Sequence, residues 1–160
     1  MMADAQWQGL DEFTENLKSL QHVMGDALRS AANTGATIIK NEVAARAPED
    51  KGILKAAIYQ KHIPEQSGDD RQVYHVSWRK GRKSETDAYY GYWVEYGHWY
   101  VPSKPAGVSQ KAHRAANRAV FVPAHPFLRP GFEAGKVPAL EAMRSKMSEN
   151  VRKAIAEMST

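Results

Sequence analysis

From Leu10 to Val43 apolar residues return every three to four positions, and Pro48 then blocks any continuation. Leu10, Phe13, Leu17, Leu20, Met24, Ala27, Leu28 and Ala31 fall along one helical stripe, which Ile38, Ile39 and Val43 extend. A chain that gives so long a stretch to amphipathic helix must provide a second layer to cover it. Asp11 is a suitable cap or first-turn acid, and Pro48 sets the stop at about Arg46 or Ala47. Gly25 and Gly35 each cost a helix interior about 1 kcal/mol relative to Ala. The spacing therefore predicts a short helix, a break near one of these glycines, and a longer helix.

The covering layer reads as strands. Gly52 in the turn after Pro48 can take a positive φ, and Leu54 to Ile63 follows as a first strand. Gln72 to Arg79 alternates as a second, across a polar Gly-containing loop at 64–70. A third is expected over about Trp93 to Tyr96, and Val120 to Val122 is a fourth. Pro126 opens a short helical piece at 127–134, which Gly135 separates from a longer helix whose stripe is Leu140, Met143, Met147, Val151, Ala154, Ile155 and Met158. The fold class expected is α+β: N-terminal helices, an antiparallel sheet of three to four strands, and a long C-terminal helix packed on the sheet. At 160 residues one domain, 1–160, is expected, with a flexible N-terminus at 1–9 and a long basic loop at 98–119.

Composition excludes more than it selects. No apolar run approaches the roughly 20 residues that cross a bilayer, so no membrane partner is expected. The opening MMADAQWQGLDEF lacks the basic start and apolar stretch of a secretory signal. There is no cysteine to form a disulfide, a thiolate nucleophile or a zinc ligand. His22, His62, His75, His98, His113 and His125 keep no metal-binding spacing, and neither a GxSxG elbow nor a GxGxxG turn occurs. Catalytic residues, cofactors and metals are accordingly not expected. The net charge of +4 is unevenly placed. Arg79, Lys80, Arg82 and Lys83 form one basic knot. Lys104, Lys111, Arg114 and Arg118 lie in a stretch from Tyr96 to Phe132 that holds no Asp or Glu. These are the candidate contacts to a partner or to DNA.

Residues 89–101 read YYGYWVEYGHWYV and hold seven of the fifteen Phe, Trp and Tyr residues. As a strand, Tyr90, Tyr92, Val94 and Tyr96 would share one face, with Tyr89, Trp93 and Glu95 on the other. Two apolar faces fit a covered core strand, with interface aromatics beyond it, better than a base-stacking platform. In that setting Glu95 is expected to accept hydrogen bonds or pair with a base, because an unpaired buried charge is costly.

Three segments, ALRSAANTGATIIKNEVAARAPEDKGILKAAI (27–58), YYGYWVEYG (89–97) and HPFLRPGFE (125–133), together resemble a family of small tailed-bacteriophage proteins. These are the tail-completion, neck or head–tail joining proteins, typified by gene product ten of phage Hong Kong 97 and including minor tail protein Z-like relatives. The positions that carry the resemblance are Pro48, Gly52 and Leu54, then Tyr89, Val94, Glu95 and Gly97, then Pro126, Phe127 and Leu128. Lys51 departs from the usual Thr, and the basic insertion after His98 is longer than many relatives carry. The resemblance implies a non-enzymatic structural virion protein, made in the host cytoplasm and built into the tail or neck. Its implied partners are copies of itself, in a ring of sixfold symmetry, and head–tail joining, tail terminator or tail-tube proteins, with DNA close by. The alternative reading is a nucleic-acid-binding module using residues 79–83 and 104–118.

Overall fold

The computed structural model describes residues 10–81, 87–116 and 119–158. Its elements run α1 (Leu10–Arg46), α2 (Ile53–Ala57), β1 (Ile58–His62), a 3-10 turn (Pro64–Gln66), β2 (Tyr74–Trp78), α3 (Gly91–Tyr96), β3 (His98–Tyr100), α4 (Gln110–Ala115), β4 (Val120–Val122) and α5 (Leu128–Met158). β1 pairs with β2 and β3 with β4, each pair a small antiparallel sheet. The α+β class holds, with strands divided between two pairs instead of joined in one sheet. The stretch expected as the third strand is helix α3. The N-terminal residues 1–9, expected to be flexible, lie outside the described residues.

The expected break in the first helix is absent, since α1 runs unbroken for 37 residues. Gly35 is there for closeness: a Cβ at this position would collide with the side chain of Met143. Likewise the 127–134 piece and the longer helix after Gly135 form one helix of 31 residues, with Pro138 inside it. Leu54 to Ile63 is a strand only in its second half. Gly52, at φ 71°, starts a helical turn that puts Leu54 and Ala57 inward three positions apart, and the amide of Ala56 donates to the Gly52 carbonyl at 3.0 Å.

The chain divides into two compact units. One comprises residues 10–39, 60–76 and 135–158. Here α1 and α5 meet through small side chains, with Ala27, Ala31, Ala32, Ala36, Ala139 and Ala154 all buried, so the two backbones approach closely. Gln60 on β1 donates to Asn33 Oδ1 at 2.9 Å and to Thr37 Oγ1 at 3.0 Å, which ties the strand to α1. The other unit comprises residues 40–59, 77–81, 87–116 and 119–134. Its core is Val43, Ala47, Leu54, Ala57, Ile58, Trp78, Ala88 and Phe127. The Trp78 and Phe127 rings meet edge to face with centroids 5.6 Å apart. A Cβ on Gly131 would come within 2.6 Å of Val43 Cα, so the start of α5 lies directly against the end of α1.

Candidate functional site

The aromatic run folds as helix because its inward positions are four apart, not two. Gly91 and Glu95 are the buried residues of α3, while Tyr92 and Tyr96 share the outer face with ring centroids 4.7 Å apart. Tyr89 and Trp93, again four apart, meet edge to face at 5.7 Å. Gly91 is required inside because a Cβ there would strike the indole of Trp78. A six-residue stretch this rich in aromatics carries no decisive period of its own; the indole beneath Gly91 selects the helix. The strand expected over Trp93 to Tyr96, with faces two residues apart, is thereby corrected.

Glu95 is fully buried, and its carboxylate is fully engaged. Oε2 accepts from the amides of Phe127 at 2.7 Å and Leu128 at 2.9 Å. Oε1 accepts from the Arg129 amide at 3.3 Å and from Arg129 Nε at 3.1 Å. These amides open α5, whose first N–H groups have no partner within the helix. A carboxylate also suits the positive end of the helix dipole. Burial opposes its charge, yet the Leu128 and Phe127 amides together with Arg129 hold its pKa below the usual 4.5. The Arg129 side chain is largely exposed, so solvent screens that ion pair and the amides matter more. The guanidinium also lies 5.0 Å from the centre of the Tyr96 ring. The backbone repeats the link: the amide of His125 donates to the carbonyl of Val94 at 2.8 Å.

The sequence contains a clue to this arrangement. Ala124-His125-Pro126-Phe127 enters α5 without Ser, Thr, Asp or Asn to cap it, so an acceptor must come from elsewhere. Arg129 was not among the expected site residues, although its place in the Pro-Phe-Leu-Arg-Pro entry puts it within reach of that acceptor.

Beyond Glu95 the chain turns at Gly97, at φ 76°, where a Cβ would lie 2.9 Å from the Val122 carbonyl and 3.1 Å from the Ala124 amide. β3 and β4 then pair in the register His98 with Val122, Trp99 with Phe121 and Tyr100 with Val120. The Trp99 and Phe121 rings are 5.3 Å apart on an open face. Tyr92, Trp93, Tyr96, Trp99, Tyr100, Val101, Val120 and Phe121 are all exposed, Trp99 at 69%. The Trp99–Phe121 and Tyr92–Tyr96 ring pairs are the exposed apolar groups here that best suit a contact with a partner.

The span expected as a long basic loop, 98–119, includes the short elements β3 and α4, with no helix or strand from 101 to 109. The α4 cap, Ser109, accepts from the Ala112 amide at 3.1 Å. His113 Nε2 lies 3.0 Å from the Pro102 carbonyl and so carries the proton of that bond. Of the basic candidates, Lys104 donates to the Val108 carbonyl at 2.7 Å, while Lys111 and Arg114 are exposed on α4. Arg79 and Lys80 sit over the rings of Tyr59 and Trp78, at 5.9 and 5.1 Å, beside a cavity of about 380 Å³. Arg82, Lys83 and Arg118 lie outside the described residues. Among the described residues no three His, Asp or Glu side chains gather in a way that could hold a metal ion. No helix there is long and apolar enough to cross a membrane.

The ten residues that carry the resemblance all belong to the second unit. Leu54, Glu95 and Phe127 are buried in it, Gly52 and Gly97 take positive φ, Glu95 is bonded to the amides of Phe127 and Leu128, and Val94 to that of His125. Pro48, Tyr89 and Pro126 are exposed. A family model described as "Bacteriophage HK97-gp10, putative tail-component" matches residues 11–97, more than half of the 160. The segment HPFLRPGFE lies beyond the matched residues, and it is the segment that Glu95 holds. No curated protein and no solved structure matches the chain.

Proposed function

The chain belongs to the HK97-gp10-like family of bacteriophage tail components, and from that premise we propose that it is a non-enzymatic subunit of the head–tail junction. In this reading copies assemble as a ring, in the tail-completion or neck position, against head–tail joining, tail terminator or tail-tube proteins. The observation that carries it is the exposed aromatic surface of α3, β3 and β4, fixed to the core through Glu95. Such a surface loses much apolar area to water until a neighbour covers it. The acid that a catalytic reading would use is committed on both oxygens to structural bonds.

Ring assembly is tested with the purified full chain, alone and with neighbouring tail proteins, by light scattering and electron microscopy. Closed rings, and unjoined heads and tails in a phage lacking the gene, are the expected results. A monomer under all these conditions together with normal joined particles from the deletion phage overturns the reading. Nucleic-acid binding is favoured by one observation, the exposure of Lys111 and Arg114 in a stretch without acids. It requires an affinity that falls with salt at about 0.9 log units per log unit for each duplex phosphate neutralised.

A further inference from the structure

Among the described residues, α1 extends beyond the helix that covers it. Val23, Asp26 and Ala27 line the same small cavity as Asn150, Lys153, Ala154 and Glu157, close to the end of α5 at Met158. Gln21 donates to Asp69 Oδ2 at 3.2 Å, and residues 10–20 run on beyond this contact for about 16 Å at 1.5 Å per residue. Within this arm the apolar stripe continues at Phe13, Leu17 and Leu20, which are 60%, 50% and 36% exposed. Hydrophobic residues at i, i+4 and i+7 on a projecting helix are the pattern by which a helix anchors in a groove.

A groove of the matching kind lies farther along the same helix pair. Met24, Leu28, Leu140, Met143, Met147 and Val151 line an open, mainly apolar trough of about 640 Å³. On α5 it extends from Leu140 to Val151, about 16 Å, which accommodates three anchors spread over about 10 Å. Arg144 and Arg152 stand at its rim, and neither has an ion pair among the described residues. The arm's sequence is acidic: Lys18 pairs with Glu15 at 3.7 Å, which leaves Asp11 and Glu12 as its excess charge. Shape, apolar character and charge sign thus match.

We infer that the α1 arm of one copy, residues 10–20, docks in the α1/α5 groove of a second copy. The two surfaces differ, so the contact is heterologous and can repeat from copy to copy until a ring closes. An arm pairing with another arm would instead join two copies and leave the grooves open. The inference rests on the ring reading above and names the contact that would build it.

The absence of cysteine gives a direct test. Leu17→Cys and Met147→Cys chains, mixed under mild oxidation, should form a disulfide-linked pair that neither forms alone. Leu17→Glu with Leu20→Glu, and separately Met147→Glu, should weaken self-association by at least about tenfold in sedimentation. Circular dichroism should stay unchanged for the arm variant, because its altered positions are exposed. Cross-linking of Leu17→Cys to itself, with none to Met147→Cys, overturns the inference. A ring that persists in the arm variant overturns the inference and leaves the ring reading standing. A wild-type chain that never self-associates, alone or with tail proteins, overturns both.

Discussion

The carboxylate of Glu95 accepts the amide of Phe127 at 2.7 Å, across 32 positions of sequence, with both residues fully buried. The bond joins the aromatic helix α3 to the first turn of α5 and makes the exposed rings beside it part of a fixed surface. Glu95 does for α5 what an N-cap side chain usually does from the adjacent residue.

Replacing Glu95 by Ala should therefore destabilise the fold by about 2–4 kcal/mol, since buried amides lose their acceptor. Glu95→Gln keeps a neutral acceptor and should cost less, about 1–2 kcal/mol. Urea unfolding midpoints of the three proteins check this. An Ala variant as stable as wild type would show that water or another group replaces the carboxylate.

The same bonds set a pH dependence. The folded pKa of Glu95 is lowered relative to 4.5, so its contribution is fully present above that value. It is lost as pH falls through the lower folded value, when the bound carboxylate must take up a proton. Wild type should lose more stability than Glu95→Gln between neutral pH and acid conditions below 4.5. Unfolding midpoints measured across that range read the difference, and parallel curves would refute it.

Gly97→Ala places a side chain at φ 76° and against the Val122 carbonyl. Backbone strain of this sort costs about 1–3 kcal/mol. The melting temperature should drop, and the β3–β4 amides should exchange faster with deuterated solvent. Unchanged exchange would mean that the hairpin adapts without loss.

Trp99 and Phe121 separate folding from assembly. Cross-strand aromatic pairs contribute about 0.2–1 kcal/mol, so Trp99→Ser should leave thermal unfolding nearly unchanged. Its effect should appear in binding to neighbouring copies or tail proteins, where buried Trp residues dominate interface energies. Titration calorimetry against those partners would show weaker binding. Equal binding would remove this face from the proposed interface.

Much of the architecture was legible because it repeats over long stretches. The stripe from Leu10 to Val43 and the one from Leu140 to Val151 each return to the same face many times, and both are helices. Gly25 and Gly35 misled as breaks, since helix propensity at one residue is outweighed by contacts spread over 37. At Gly35 those contacts include Met143, a neighbour that the local sequence does not contain. The aromatic run misled for the opposite reason: it is too short and too uniformly apolar for period two and period 3.6 to be told apart.

The sequence by itself determined the α+β class, the stop of α1 before Pro48, the strand at Val120–Val122 and the need for Glu95 to find hydrogen-bond donors. Each follows from local chemistry: periodic apolar residues, a proline without an amide hydrogen, or a charge that cannot be buried alone. Only the tertiary structure decided that Glu95 holds the first amides of α5, and that α3 is a helix because Gly91 lies against Trp78. Those outcomes depend on which residues distant in sequence become neighbours, and packing chooses them.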